Sequence, residues 1–145
     1  MQSTVINMLL NNSLCVLCTC KNDIPNASLM LYICDNQCTK MHMLTLKETS
    51  KYLNIVNNKN VSLLIDTRDD IHDDKTTQTK ALTIHGVASI VDDYNTSKKI
   101  LDQLIKKHNE LSNLVSNESV RVIEVQIKSI LFLENVEKVN NISLP

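Results

Sequence analysis

Thr45, Thr49, Ser50 and Lys51, within "TLKETSKYLNI" (45–55), set three hydroxyls and one ammonium around the start of a predicted helix. The first-turn amides of a helix have no intrahelical acceptor and carry partial positive charge. An anion placed there gains directed hydrogen bonds and a favourable dipole, and Thr49, Ser50 and Lys51 would add hydroxyl donors and a full charge. The chemistry on offer is phosphate binding. A second reading stands beside it: Thr45-Leu46-Lys47-Glu48 matches a capping box, with Glu48 reaching back to the Thr45 amide. Spacing alone favours the capping box. Glycine occurs once, at Gly86, so glycine-rich phosphate loops and dinucleotide fingerprints are excluded, and any phosphate must be held by side chains and helix-end amides.

The other reactive residues point less clearly to a site. Cys15, Cys18 and Cys20 lie in "CVLCTC", and Cys34 and Cys38 flank "DNQ". A metal centre needs ligands converging on one point. An extended strand instead sends Cys15 to one face and Cys18 and Cys20 to the other. Cysteine as a small buried hydrophobe is the preferred reading, and a redox or metal protein built on Cys15, Cys18 and Cys20 is the alternative. Cys34 and Cys38 could approach across their turn. His42, His72, His85 and His108 have no evident second ligand, so structural or surface roles are expected. His72, in a polar loop, is best placed to reach a neighbouring site.

The elements that would position these residues follow from pattern. The 145 residues and 43% hydrophobic content suit one domain over residues 1–145. With 3% aromatics and no tryptophan, the core must be Leu, Ile, Val, Met and Cys. A net charge of −1 leaves no basic field for nucleic acid. The apolar runs are too short to cross a bilayer. The start Met1-Gln2-Ser3-Thr4 lacks a basic region followed by an apolar segment. A cytoplasmic protein, bound neither to membrane nor to nucleic acid, is expected.

A helical stripe over residues 3–12 precedes three strands, "SLCVLCTC", "ASLMLYIC" and "MHMLTL", separated by turns at "KNDIPN" and "DNQCTK". The second strand is expected to be buried. Residues 46–57 change period and predict a short helix packing through Leu46, Leu53 and Val56, ended by left-handed asparagine in "NNKN". "VSLLID" and "KALTIHGVASIV" read as strands flanking a polar loop, with a bend or bulge at Gly86. A helix follows, capped by Asn95 or Thr96, with an apolar face running from Ile100 to Leu114. "VRVIEVQIKSILFLENV" closes the chain with one or two strands. Consecutive hairpins without βαβ alternation predict a mainly β, antiparallel barrel of about six strands with small peripheral helices.

This order, with Pro25 in the first turn, Thr45 ending the third strand, "TSK" opening the helix, and "ALTIHGVASIVDD" and "VIEVQIKSILFLENV" closing the sheet, resembles the FMN-binding split-barrel family typified by pyridoxamine 5'-phosphate oxidase. The resemblance runs from about residue 8 to residue 137. It implies that Thr49, Ser50 and Lys51 hold a flavin phosphate, that Leu44 and Thr45 line the ring or ribityl chain, and that Ser28, Leu29, Met30 and Leu31 lie along the ring. It implies FMN as cofactor, with deazaflavin or haem as alternatives used by relatives. It also implies a homodimer with flavin sites at the interface, and a nicotinamide cofactor as a possible electron donor. Arg68 is a candidate for the partner's site; its alternative is a loop arginine pairing with Asp69 or Asp70. The true oxidases place arginine near Ser28 and Ser50 and lysine near Ile33, so their activity is not expected here. The family reading is thus an FMN-dependent oxidoreductase of unspecified substrate, or a flavin- or haem-binding protein without turnover.

Overall fold

The computed structural model describes residues 1–68, 79–135 and 138–145. Its elements in chain order are α1 (Ser3–Asn11), β1 (Leu14–Lys21), β2 (Ile24–Leu31), β3 (Ile33–Cys34), β4 (Lys40–Leu46), α2 (Ser50–Asn57), β5 (Asn60–Asp66), β6 (Lys80–Ile90), α3 (Tyr94–Lys107), a 3-10 turn (Asn109–Leu114), β7 (Val120–Glu134) and β8 (Lys138–Ser143). Every strand pair is antiparallel, in the order β2-β1-β5-β6-β7-β4-β3, with β8 also on β7. The sheet coils into an antiparallel barrel, as the hairpin succession predicts, of the split type that the resemblance implies. Among the described residues it has eight strands where the pattern suggested about six; the additional ones are the two-residue β3 and the C-terminal β8.

The long β7 organises the barrel. It pairs with β6 along most of its length, while its other edge is shared by β4 (residues 120–126) and β8 (residues 129–134). The β6–β7 register shifts between His85 and Gly86, the bulge expected at the sole glycine. The reason is a close approach: a Cβ on Gly86 would lie 2.5 Å from Val125 Cγ1 and 2.8 Å from the Gln126 carbonyl oxygen. The barrel interior is aliphatic and sulfur-rich, with Tyr32 and Phe132 as its buried aromatics. A second, smaller cluster joins α3 to the outer face of the sheet through Leu44, Ile100, Leu104 and Val122.

Several local expectations give way. The strand read at 27–34 is not continuous and is mostly not buried. It breaks at Tyr32, whose hydroxyl donates to Leu9 O at 2.8 Å and whose carbonyl accepts from His108 Nε2 at 2.7 Å. β2 lies at the sheet edge, with Ile24 68% and Leu29 69% exposed. The edge position also accommodates Pro25, which has no amide hydrogen for a second neighbour. α2 buries Asn54 and Ile55, not Leu53 and Val56, because Asn54 Nδ2 donates inward to Thr19 Oγ1 at 3.0 Å. Asn58 ends α2 in extended conformation (φ −138°) instead of the left-handed one. α3 is capped by Asp93, whose carboxylate accepts from the Thr96 amide and hydroxyl at 2.9 and 2.6 Å, rather than by Asn95 or Thr96. It stops at Lys107, so Leu111 and Leu114 belong to the 3-10 turn. β1 turns Cys15 into the core and leaves Cys18 and Cys20 half-buried on its other face, as a two-residue period requires.

Candidate functional site

The site builds from the junction of β4 and α2. β4 ends with Leu44, Thr45 and Leu46 held in register opposite Val122, Arg121 and Val120 of β7. The chain then turns: the Thr49 amide donates to Leu46 O at 3.2 Å, and Glu48 takes a positive φ of 73°. That left-handed residue removes the capping box. The cap of α2 is Thr49, whose Oγ1 accepts from the Tyr52 amide at 3.5 Å. Helical bonding starts with the Leu53 amide on Thr49 O, so the amides of Ser50 and Lys51 stand ahead of it.

Thr45 and Thr49 share a hydrogen bond of 2.8 Å, and Thr49 Oγ1 also donates to Leu46 O at 2.9 Å. With its hydrogen spent on Leu46, Thr49 accepts from Thr45. Thr45 is buried, and Lys51 is half-buried beside this pair.

These residues open on a cleft of about 350 Å³. Its polar end is Thr45, Thr49 and Lys51; its walls are Leu29, Met30 and Leu31 of β2, Leu14 of β1, Leu44 and Leu46 of β4, Leu111 and Leu114 of the 3-10 turn, and Val120 of β7. Seven of the ten residues singled out by sequence are therefore brought into one cleft: Leu29, Met30, Leu31, Leu44, Thr45, Thr49 and Lys51. Ser28 and Ser50 are not among its lining residues. Ser28 pairs with Leu17 on the barrel-facing side of β2, and Ser50 is exposed at the first position of α2. Arg68 lines an adjoining cavity of about 440 Å³ that shares Leu14 and Leu29 with the cleft. Its guanidinium is fixed on Asp66, with Nε at 2.9 Å from both carboxylate oxygens and Nη2 at 2.6 Å from Oδ2. These bonds hold the Asp66 carboxyl below its ordinary range. Asp69, Asp70 and His72 lie outside the described residues.

Leu14, Leu46, Leu111, Leu114 and Val120 are additions that sequence reasoning missed. Leu111 and Leu114 look like the end of the α3 stripe, and Val120 reaches the cleft only through its pairing with Leu46, a register no local pattern reveals. Ile33, where the true oxidases have lysine, packs against the Leu44–Val122 cluster, so an apolar residue suits it. The described histidines lie elsewhere: His42 is bound to Glu124 Oε2 at 2.9 Å, His108 to Tyr32 O, and His85 is exposed. Hydrogen bonds from His42 and Lys40 outweigh burial at Glu124 and lower its pKa, which makes this a structural pair. Among the described residues no group of three or more His, Cys, Asp or Glu is arranged to hold a metal ion.

An apolar slot ending in hydroxyls and one ammonium suits an elongated, largely apolar ligand with an anionic end. A phosphate there would draw the Thr45 hydrogen away from Thr49, replacing a neutral hydrogen bond by a charge-assisted one. The donor set fits a flavin phosphate, with Lys51 as its single full charge.

A split antiparallel barrel with this cleft at its strand-to-helix junction is the protein class that fold and site define together. The chain belongs to the pyridoxamine 5'-phosphate oxidase family, whose sequence profile matches residues 3–134. No curated protein sequence matches it. Solved structures share the fold. General Stress Protein 26 from Bacillus anthracis is 20% identical, over 96% of this chain and 95% of that one, with a TM-score of 0.71. The haem storage protein HutZ from Vibrio cholerae is 17% identical, over 88% and 89%, with a TM-score of 0.73. An FAD-binding protein from Mesorhizobium loti is 13% identical, over 90% and 92%, with a TM-score of 0.70. The architecture thus occurs in one protein that binds FAD and in one that stores haem. Among the described residues no helix is long and apolar enough to cross a membrane.

Proposed function

We propose that this protein is an FMN-binding flavoprotein that holds the cofactor in the β2–β4–α2 cleft and serves as an oxidoreductase. The observation that carries the reading is the convergence of Leu29, Leu31, Leu44, Thr45, Thr49 and Lys51 on one slot, apolar along its walls and cationic at one end. FMN, when bound, would supply hydride or electron transfer through its ring. The chain's own part is to hold and shield. Leu29, Leu31 and Leu44 offer apolar contact to a ring, Lys51 a counter-charge to the phosphate, and Thr45 a hydroxyl donor that Thr49 holds in place. Ser28 and Ser50 carry no cation, and Ile33 offers no lysine to a phosphorylated substrate, so pyridoxamine phosphate oxidation is not the activity proposed. A reduced nicotinamide cofactor is the electron donor we favour.

The active unit we propose is a homodimer. Leu29, Val16 and Leu64 stand in register across β2, β1 and β5, and Leu29 is left largely exposed. Such an unspent apolar stripe suits a second copy. Arg68 lines the cavity beside it, so a partner's cofactor would come within its neighbourhood.

Haem binding is the second reading, supported by the apolar slot and by the HutZ fold. The described histidines are spent elsewhere or exposed, which is why flavin is preferred. Titrating purified protein into FMN separates the two: flavin fluorescence quenches and a yellow complex survives gel filtration. A colourless protein that leaves FMN fluorescence unchanged sinks the flavin reading, and a Soret band on adding haem supports the second. Consumption of NADH or NADPH by the FMN complex tests the reductase assignment.

A further inference from the structure

A second cavity, of about 560 Å³, lies beside the cofactor cleft near the start of β7 and is not used by the reading above. It is an open groove lined by the first turns of α3, the loop 115–118 and the start of β7. Val120 lines both this cavity and the cofactor cleft, and Arg121, which lines this one, stands in register opposite Thr45.

Four charged residues face it, two of each sign: Asp92, Lys98, Glu118 and Arg121. None of them forms an ion pair among the described residues, where the pairs are Lys40–Glu124, His42–Glu124 and Arg68–Asp66. Arg121 is nonetheless fixed. Its Nη1 donates to the carbonyl oxygens of Glu118 and Val120, each at 2.8 Å. Nε and Nη2 have no acceptor among the described residues, so two parallel donors of a positioned guanidinium remain for a carboxylate. Leu101, Val115 and Val120 add apolar lining, Val115 being 38% exposed, and Tyr94, 75% exposed, stands beside them.

We infer that this cavity binds a free α-amino acid with an apolar or aromatic side chain. A simple carboxylate would satisfy Arg121 and Lys98 but leave Asp92 and Glu118 facing it; a simple amine would do the reverse. A zwitterion meets both signs at once, its carboxylate on Arg121 and its ammonium toward the acids. The side chain takes the apolar lining beside Tyr94. The site shares only Val120 with the cofactor cleft, and its occupancy requires no flavin.

The experiment is a calorimetric and ligand-observed NMR titration of the whole chain, with and without FMN. The probes are L-leucine and L-phenylalanine, with 4-methylpentanoate and 3-methylbutylamine as single-charge controls. Saturable binding of at least one amino acid is expected, with each control weaker by about tenfold or more. Arg121→Gln and Glu118→Gln should each weaken the amino acid by about tenfold while leaving the FMN titration unchanged. Arg121 also ties its own loop, so Lys98→Gln, on the exposed side of α3, provides a variant that leaves packing untouched; a loss of about threefold or more is expected. The inference is overturned if neither amino acid saturates below about 10 mM. It is equally overturned if the single-charge controls bind as well, or if a folded Lys98→Gln and Glu118→Gln both bind like wild type.

Discussion

β7 and β2 are both apolar strands, yet they end in opposite situations. β7 is paired on both edges, and Val122, Ile123, Val125 and Ile127 are wholly buried. Among the described residues β2 is paired only with β1, and Leu29 and Ile24 remain more than two-thirds exposed. Apolar content alone does not distinguish them; place in the pairing order does. β7 spends its hydrophobic surface on folding, whereas β2 retains surface that can only be spent on a ligand or another chain. The cofactor cleft lies along the second kind of strand, with one wall from β2 and the opposite one from β4 and β7.

The sharpest way to test this contrast is to disturb each side separately. On the closed side, Gly86→Ala inserts a methyl against Val125 and the Gln126 carbonyl, where the chains approach too closely for it. A stability loss of about 2–3 kcal/mol in urea unfolding is expected. A loss below about 0.5 kcal/mol would show that the β6–β7 bulge tolerates a side chain. On the open side, Lys51→Ala should leave unfolding of the cofactor-free chain nearly unchanged and weaken FMN by about 1.5–3 kcal/mol, roughly ten- to a hundredfold. Unchanged affinity removes Lys51 from the phosphate site.

The contrast also explains what the sequence could disclose. Strand succession, the bulge at Gly86 and the gathering of Thr45, Thr49 and Lys51 rest on local patterns, and those are readable. The exposure of β2 is not legible because its composition resembles a core strand, and only long-range order shows that, among the described residues, β1 is its one pairing partner. The face of α2 was misjudged because Asn54, a polar residue, is drawn inward by Thr19, a partner 35 positions away. The capping box failed on one dihedral: spacing permits Glu48 to reach back, but a positive φ turns it out of the helix. Val120 entered the site through a strand pairing that joins residues more than 70 positions apart.

Smaller effects refine the picture of the exposed edge. Leu29→Lys places a charge on the apolar stripe without disturbing the core. Unfolding of the monomer should change by less than about 0.5 kcal/mol, while light scattering should show self-association weakened by about tenfold or more, or 1.4 kcal/mol. A variant as dimeric as wild type would move the proposed interface off β2.

The smallest expected effect belongs to Asp66 and Arg68, beside that stripe. Arg68 holds the Asp66 carboxyl below its unfolded value, so the pair contributes stability above that value, near pH 4 and upward, and the contribution fades as pH falls through the folded pKa. The side chain of Arg68 is 67% exposed, which screens the pair to about 0.2–1 kcal/mol. Arg68→Gln should therefore cost that much at pH 7 and progressively less as pH falls below about 4, read as converging unfolding midpoints. If Arg68 also serves a neighbouring copy's cofactor, the same substitution will lower FMN affinity in the dimer by more than it lowers stability. Equal losses would keep Arg68 out of the partner's site, and a loss of affinity alone would assign it there.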